Sequence, residues 1–127
     1  MRCLVTLMVM LGILFIACDQ KQAVSAPNLT GPAKDFVGML AQGDYAESFA
    51  KFDETMKGVM PVDTLEQAWQ SLLAKTGTFE KIVGVGQRKE QGYDVVLVTC
   101  QFENTQLDVK VVYNDKKEVS GLWFQPK

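Results

Sequence analysis

The chain has 127 residues, of which 13 are Lys or Arg and 15 are Asp or Glu, so its formal net charge is −2 at pH 7. This length predicts one small domain, and the acidic balance argues against a basic surface that binds nucleic acid. The sequence contains three cysteines and no histidine. Because histidine is absent and neither cysteines nor carboxylates are clustered, we expect no metal site. We also expect no cofactor.

The first 17 residues have the layout of a bacterial signal peptide. Arg2 supplies a positive start, an apolar run covers residues 4–16, and charged and polar residues follow at once. This run is too short for a transmembrane helix, which needs about 20 predominantly apolar residues. We therefore predict that residues 1–17 are removed by cleavage between Ala17 and Cys18.

Cys18 is the predicted site of lipidation. The run Leu14-Phe15-Ile16-Ala17-Cys18 resembles the lipobox of bacterial lipoproteins, whose cysteine receives a diacylglycerol thioether and fatty acids such as palmitate. The resemblance implies a lipoprotein anchored at the extracytoplasmic face of a membrane in the cell envelope. Residues 18–31 are predicted to form a flexible tether, followed by a single domain over residues 32–127.

Two amphipathic helices are predicted at the start of this domain. The first begins at Pro32 and ends at Gly43, and Asp44 is the predicted N-cap of the second. The apolar residues of the second helix share one face at period 3.6: Tyr45, Phe49, Phe52 and Met56. This stripe predicts one continuous helix that ends before Pro61.

A third helix is predicted to begin at a capping box, formed by Asp63 with Glu66 or by Thr64 with Gln67. Gly77 is its predicted C-cap. Its buried face consists of Leu65, Ala68, Trp69, Leu72 and Leu73. Three helices therefore precede the second half of the domain.

From Thr78 onwards the apolar period changes from 3.6 to 2, which predicts four antiparallel strands joined by short turns. The predicted strands cover residues 79–88, 93–102, 105–113 and 118–124. In the third strand, apolar residues alternate with Asp108 and Lys110, which indicates one dry face and one wet face. We expect three helices packed on the dry face of a curved four-stranded sheet, a fold of the α+β class.

Cys100 is predicted to be a buried and unreactive thiol. It alternates with Val98 and Phe102 on the dry face of the second strand. The alternative, a reactive nucleophile, would need an exposed sulfur and a nearby base. With Cys3 removed and Cys18 acylated, no cysteine remains to pair with Cys100 in a disulfide.

A series of motifs runs through the domain in a fixed order. They are Gly43-Asp44-Tyr45, Phe52-Asp53, Met56, Pro61, Trp69 with Leu72-Leu73, Gly77, and Val119-Ser120-Gly121-Leu122-Trp123-Phe124-Gln125-Pro126. Over residues 33–126 the chain resembles the bacterial domain of unknown function 3887. The resemblance implies the nuclear transport factor 2-like (cystatin-like) cone of helices on a curved antiparallel sheet. Members of this family sometimes precede an α/β-hydrolase domain, and here we expect an accessory role to act on a separate chain.

We predict a lipid-anchored extracytoplasmic domain that binds a small apolar ligand or a protein of the envelope, without catalytic activity of its own. Its candidate pocket residues, between the helices and the sheet, are Tyr45, Phe52, Trp69, Tyr113 and Trp123. The membrane is expected to be a partner through the lipid anchor, and nucleic acid is not.

Two alternative functions stay open. The first is an isomerase or lyase that uses a carboxylate in the cone pocket, which the superfamily resemblance implies through relatives such as ketosteroid isomerase. Asp44, Asp53 and Glu54 supply the residue type that this chemistry needs. The second is a homodimer through the open sheet face, which would require Val95 and Leu97 to form an exposed apolar patch.

Overall fold

The computed structural model describes residues 28–127, which form helices followed by strands, as predicted. The helices are α1 (Thr30–Gln42), α2 (Tyr45–Ala50), α3 (Glu54–Val59) and α4 (Val62–Thr76). The strands are β1 (Phe79–Glu90), β2 (Tyr93–Phe102), β3 (Gln106–Tyr113) and β4 (Val119–Pro126). The α+β class is confirmed, whereas the predicted signal peptide and the lipidation site at Cys18 lie outside the described residues. Within residues 28–127, no helix has the length and apolar character needed to cross a membrane.

The four strands form one antiparallel sheet in the order β1-β2-β3-β4, so the predicted meander is confirmed. Between β2 and β3, Val96 lies opposite Val111 and Val98 lies opposite Val109. These four side chains are fully buried and share the face that the helices cover. The strand alternation read from the sequence therefore assigns this face to the core.

Trp69 of α4 lies at the centre of an aromatic cluster between the helices and the sheet. Its ring centroid is 5.9 Å from that of Phe102, 5.9 Å from that of Phe124 and 6.3 Å from that of Phe79. The Phe79 and Phe102 rings also meet edge to face at 5.7 Å. Because these rings come from β1, β2 and β4, one helical side chain joins α4 to three strands.

The predicted second helix is divided into α2 and α3 by residues 51–53, of which Lys51 closes the last turn of α2 and Asp53 is extended. The backbone N–H of Asp53 donates to the Val119 carbonyl at 2.9 Å, and the Val119 N–H donates to the Lys51 carbonyl at 2.8 Å. Phe52 thereby pairs in parallel with Val119 at the edge of the sheet, while its ring stays buried. The prediction of three helices is therefore wrong, because the structure has four helices among the described residues.

Asp53 caps a helix with its side chain, and Asp44 does not. The Asp53 Oδ1 atom accepts a hydrogen bond from the Met56 backbone N–H at 2.8 Å, at the start of α3. Asp44 precedes α2 but makes no side-chain capping bond. The capping box predicted for the third helix is also absent at α4, which begins at Val62 directly after Pro61 with no side-chain cap. Asp44 is thus the N-cap residue of α2, as predicted, although its side chain makes no capping bond, whereas the predicted capping box at α4 is wrong.

We expect Asp53→Ala to lower the free energy of unfolding by about 1 kcal/mol, because the Met56 N–H loses its acceptor. Asp44→Ala should change it by less than about 0.5 kcal/mol, as is usual at an exposed position without such a bond. Urea denaturation followed by circular dichroism compares the two variants. Equal losses of stability would contradict the assignment of the cap to Asp53.

The N-terminal end of the described domain is held by Leu29. Its side chain is buried in the core, and its backbone N–H donates to Gln87 Oε1 of β1 at 2.7 Å. Helix α1 accordingly begins at Thr30, two residues before the predicted start at Pro32. Residues 28–31, predicted as part of the tether, therefore belong to the folded domain.

Candidate ligand-binding cleft

A cleft of about 500 Å³ opens on the sheet face that alternates with the core, next to the β1–β2 turn and the start of α3. We call it the outer cleft. The residues that give it its chemical character are Asp53, Glu90, Tyr93, Lys110, Ser120 and Trp123. Val95 and Val112, which lie opposite each other on β2 and β3, also line it; Val95 is buried and Val112 is half-buried.

Strand alternation places these side chains on one surface. On β3, Lys110 and Val112 alternate with the core residues Val109 and Val111. Trp123 of β4 lies directly opposite Lys110 in the β3–β4 register. The strands that form the core on one face therefore present the outer cleft on the other face.

The indole of Trp123 lies over Gly121 and remains 54% exposed. A Cβ atom at Gly121 would stand only 2.5 Å from the indole Cζ3 atom and 2.8 Å from Cη2, so the missing side chain leaves the space that the ring fills. The Lys110 ammonium lies 5.6 Å from the ring centroid, within the range of a cation–π interaction. Gly121 and Lys110 thus hold an accessible aromatic surface at the cleft.

Glu90 and Lys110 of the outer cleft are paired with each other, and Glu90 is also paired with Arg88. Lys110 Nζ lies 3.2 Å from Glu90 Oε1, and Arg88 Nε donates to Glu90 Oε2 at 2.6 Å. The hydrogen bonds from Arg88 and then from Lys110 lower the pKa of Glu90 from its usual value. At neutral pH the carboxylate is therefore ionised, and its charge is compensated inside the cleft.

Asp53 borders the outer cleft with both carboxylate oxygens engaged. While Oδ1 caps α3, Oδ2 accepts from Asn114 Nδ2 at 3.4 Å. Asn114 in turn accepts from the backbone N–H of Lys116 at 2.9 Å and of Glu118 at 3.0 Å. Asp53 therefore ties the start of α3 to the β3–β4 turn, which is a structural role.

The five residues predicted to line one pocket occupy three different regions. Phe52 and Trp69 are fully buried in the core, and Tyr45 is half-buried with its hydroxyl accepting a hydrogen bond from an α4 amide. Tyr113 is buried and lines a smaller cavity beside α1. Of the five predicted residues, all of which lie within residues 28–127, only Trp123 lines the outer cleft. Whether any of the five contacts a ligand stays a prediction.

Sequence reasoning missed Tyr93, Glu90 and Lys110 as residues of a site. Tyr93 and Glu90 border a predicted turn, and Lys110 lies on the predicted wet face of its strand, so their residue types did not indicate a site. The usable signal is the spacing of Gly121 and Trp123, since residues two apart on a strand share a face and the glycine leaves room for the ring.

The isomerase hypothesis depends on three carboxylates. Asp44 and Glu54 are exposed, and Asp53 is engaged in the hydrogen bonds described above.

The dimer hypothesis depends on the outer sheet face. There, Val95 is 1% exposed and Leu97 is half-buried, so the two do not form the exposed apolar patch that the hypothesis needs. Within residues 28–127, no group of three or more Cys, Asp or Glu side chains is arranged to hold a metal ion.

Cys100 is fully buried in β2, which confirms its assignment to the core. Burial, with a smaller contribution from the negative charge of Asp108, raises the pKa of the thiol to about 12. We therefore expect Cys100 to remain unmodified by iodoacetamide at pH 8 and to react fully in denaturing urea, because the thiol is inaccessible and protonated in the folded state. Mass spectrometry of the peptide that contains Cys100 measures this, and rapid modification without urea would contradict it.

Comparison with known proteins gives a family and a distant relative. Over 126 residues, which are 98% of this chain, the sequence is 25% identical to the esterase EstD of Thermotoga maritima, and the aligned part is 28% of that protein. The chain thus spans well under a third of this relative's length. No solved structure matches the chain significantly. The sequence profile described as "Protein of unknown function (DUF3887)" matches residues 33–122, and the chain therefore belongs to the DUF3887 family.

Proposed function

We propose that the chain is a lipid-anchored, extracytoplasmic binding domain without catalytic activity of its own, and that its ligand occupies the outer cleft. The observation that carries this proposal is the accessible indole of Trp123, positioned over Gly121 beside polar side chains. Aromatic rings left accessible next to hydrogen-bonding groups are favoured at binding sites, because they bury much apolar area with little loss of side-chain freedom.

The lining of the outer cleft favours a neutral ligand with one apolar face and a hydrogen-bonding edge. Trp123 and the half-buried Val112 offer apolar surface, while Thr55 and Gln91 offer polar groups. Since Glu90 and Lys110 already compensate each other and both Asp53 oxygens accept hydrogen bonds, a charged ligand would have to displace these contacts. The volume of the outer cleft, about 500 Å³, falls in the range of about 300–1,000 Å³ that small-molecule sites occupy.

The groups that catalysis would use are engaged in the structure, which supports binding rather than a reaction. Both Asp53 oxygens accept hydrogen bonds from the protein, and Glu90 is held ionised by Arg88. The Cys100 thiol is buried and protonated. A general base poised near neutral pH or an activated nucleophile would need a different environment.

The predicted lipid on Cys18 would place the outer cleft close to a membrane. From Cys18 to the first described residue, Asn28, there are ten peptide steps (28 minus 18), which reach at most about 35 Å when fully extended. The ligand or partner is accordingly proposed to be a component of the cell envelope. We also propose that the fold is nuclear transport factor 2-like, which the order of helices and antiparallel strands supports.

The similarity to esterase EstD supports a more specific accessory role. Because the aligned region is 28% of that esterase, it leaves ample length for a separate catalytic part. We propose that the present domain holds a ligand near a separate enzyme that cleaves esters. Small carboxylic esters are therefore the first ligands to test. Neutral saccharides are tested with them, because the lining of the outer cleft favours a neutral ligand with a hydrogen-bonding edge.

Tryptophan fluorescence tests the proposed site. The sequence has two tryptophans, of which Trp69 is buried and Trp123 is exposed. Titrating the full chain in detergent with neutral oligosaccharides and small carboxylic esters should give a saturable change in emission, and isothermal titration calorimetry should show that binding is lost in Trp123→Phe, whose emission no longer reports on the cleft. The matched control is Val59→Ala, which alters an exposed apolar residue outside the cleft and should bind as the wild type does. Binding that survives in Trp123→Phe would place the ligand elsewhere.

Membrane fractionation tests the proposed address independently of any ligand. Cells that express the wild-type chain should hold it in the membrane fraction, and Cys18→Ser should release it or leave it unprocessed, because the variant lacks the thiol that forms the thioether. An unchanged membrane association of Cys18→Ser, together with a mass that shows no lipid on the wild type, would contradict the lipid anchor.

A further inference from the structure

A second cavity, of about 300 Å³, lies between α1, the end of α2 and the β3–β4 turn. We call it the side cavity, and its principal residues are Asp35, Phe36, Met39, Lys51, Tyr113 and Lys117. It shares no lining residue with the outer cleft. The two sites can therefore be altered separately.

Tyr113 is a mostly buried residue that lines the side cavity and carries a hydroxyl group. Its side chain is 3% exposed, yet within residues 28–127 no protein group forms a hydrogen bond with its hydroxyl. Burial, followed by the negative charge of Asp35, raises the pKa of Tyr113 above its usual value, so the phenol is a neutral donor at physiological pH. Asp35, whose charge acts on this phenol, lines the same cavity.

The rim of the side cavity carries opposite charges that do not pair. Asp35, Lys51 and Lys117 all line it, and none of them forms an ion pair with another described residue. The side cavity is thus lined by one acidic and two basic residues, all of them exposed.

The wall of the side cavity is apolar. Phe36 is buried and Met39 is half-buried on the face of α1 that lines it. A ligand that used all of these groups would carry a cation for Asp35, an anion for the lysines and for the Tyr113 hydroxyl, and an apolar body for Phe36 and Met39.

We propose that the side cavity binds a small zwitterion with an apolar body, either a free amino acid or a short peptide. Its ammonium group pairs with Asp35, its carboxylate with Lys51 or Lys117, and the Tyr113 hydroxyl donates a hydrogen bond to that carboxylate. This inference does not depend on the ligand of the outer cleft.

Isothermal titration calorimetry of the full chain in detergent tests the charge requirement. The probes are L-leucine and L-leucylglycine, with 4-methylpentanoate as the analogue without the ammonium and 3-methylbutylamine as the analogue without the carboxylate. At least one zwitterion should bind saturably, and both singly charged analogues should bind at least about tenfold more weakly, since each loses one ion pair. The comparison of L-leucine with L-leucylglycine tells a free amino acid from a peptide. Absence of binding by both zwitterions, or equal binding by an analogue, would overturn the proposal.

Variants locate the binding. Asp35→Asn and Tyr113→Phe should each weaken binding of the zwitterion at least about fivefold, through loss of an ion pair or a hydrogen bond. Asp63→Asn, at an exposed carboxylate on α4, and Trp123→Phe in the outer cleft should leave it unchanged. If Tyr113→Phe does not fold, Asp35→Asn at its exposed position decides alone. Unchanged affinity in Asp35→Asn would place the ligand outside the side cavity.

Discussion

Replacement of Trp69 by alanine should lower the free energy of unfolding by about 3–5 kcal/mol, the range found when a buried aromatic ring is removed. Trp69 is 1% exposed and packs against Phe79, Phe102 and Phe124, which come from three strands. The lost ring would leave a cavity where α4 meets the sheet. Urea denaturation monitored by circular dichroism measures the loss.

Trp123→Ala is the matched control for this prediction, because it removes the same side chain from the opposite face of the sheet. With half of its surface in solvent, the Trp123 ring should contribute much less, about 1 kcal/mol or below. Equal losses of stability in the two variants would contradict the assignment of Trp69 to the core and of Trp123 to an accessible cleft.

Gly77→Ala should lower the free energy of unfolding by about 3 kcal/mol, the upper end of the cost of a strained backbone conformation. Gly77 ends α4 with φ 84° and ψ −174°, a region that is open essentially to glycine alone. A Cβ atom there would stand 2.5 Å from the Cβ of Glu103 and 2.7 Å from its Oε1 atom, so steric overlap adds to the strain. Thermal unfolding and urea denaturation both measure the effect.

Gly43→Ala provides the control at a second helix end. Gly43 has nearly the same φ, 83°, but its ψ of 14° is left-handed helical, and no atom lies within 4 Å of the position that an alanine methyl group would take. Gly43→Ala should lower the free energy of unfolding by about 1–2 kcal/mol, which is the cost of placing a residue with a side chain in the left-handed conformation. A larger loss at Gly43 than at Gly77 would contradict the account of steric crowding between Gly77 and Glu103.

The sheet was predictable because its signal is local. Alternation along β2 and β3 distinguishes core residues such as Val98 and Val109 from outward residues such as Lys110, and turn residues mark each reversal. Both the antiparallel order and the burial of Cys100 follow from this pattern and are confirmed by the structure.

The break between α2 and α3 was not predictable from helical spacing. Phe52 fits a helical stripe, yet it pairs with Val119, a residue 67 positions later in the sequence (119 minus 52). A buried ring is compatible with a helix and with an extended backbone alike, so spacing alone cannot separate them. The side-chain cap consequently lies at Asp53, where the chain enters α3, instead of at Asp44.

The candidate site was predictable only in part, because aromatic residues of the core and of a site look alike in sequence. Trp69 and Trp123 both lie in apolar segments, and only the fold shows that one is enclosed and the other accessible. The outer cleft also depends on contacts between distant segments, since Glu90 in β1 meets Lys110 in β3. Such pairs arise from strand register, which the composition of either strand does not reveal.

The central claim is that a ligand contacts Trp123 in the outer cleft, and the indole N–H resonances of the two tryptophans test it most directly. In a two-dimensional ¹H–¹⁵N spectrum of the full chain in detergent, a neutral oligosaccharide or ester that binds saturably should shift the Trp123 signal and leave the Trp69 signal in place. Assignment follows from Trp123→Phe, which removes one of the two signals. Saturable binding that leaves the Trp123 resonance unmoved would contradict the account.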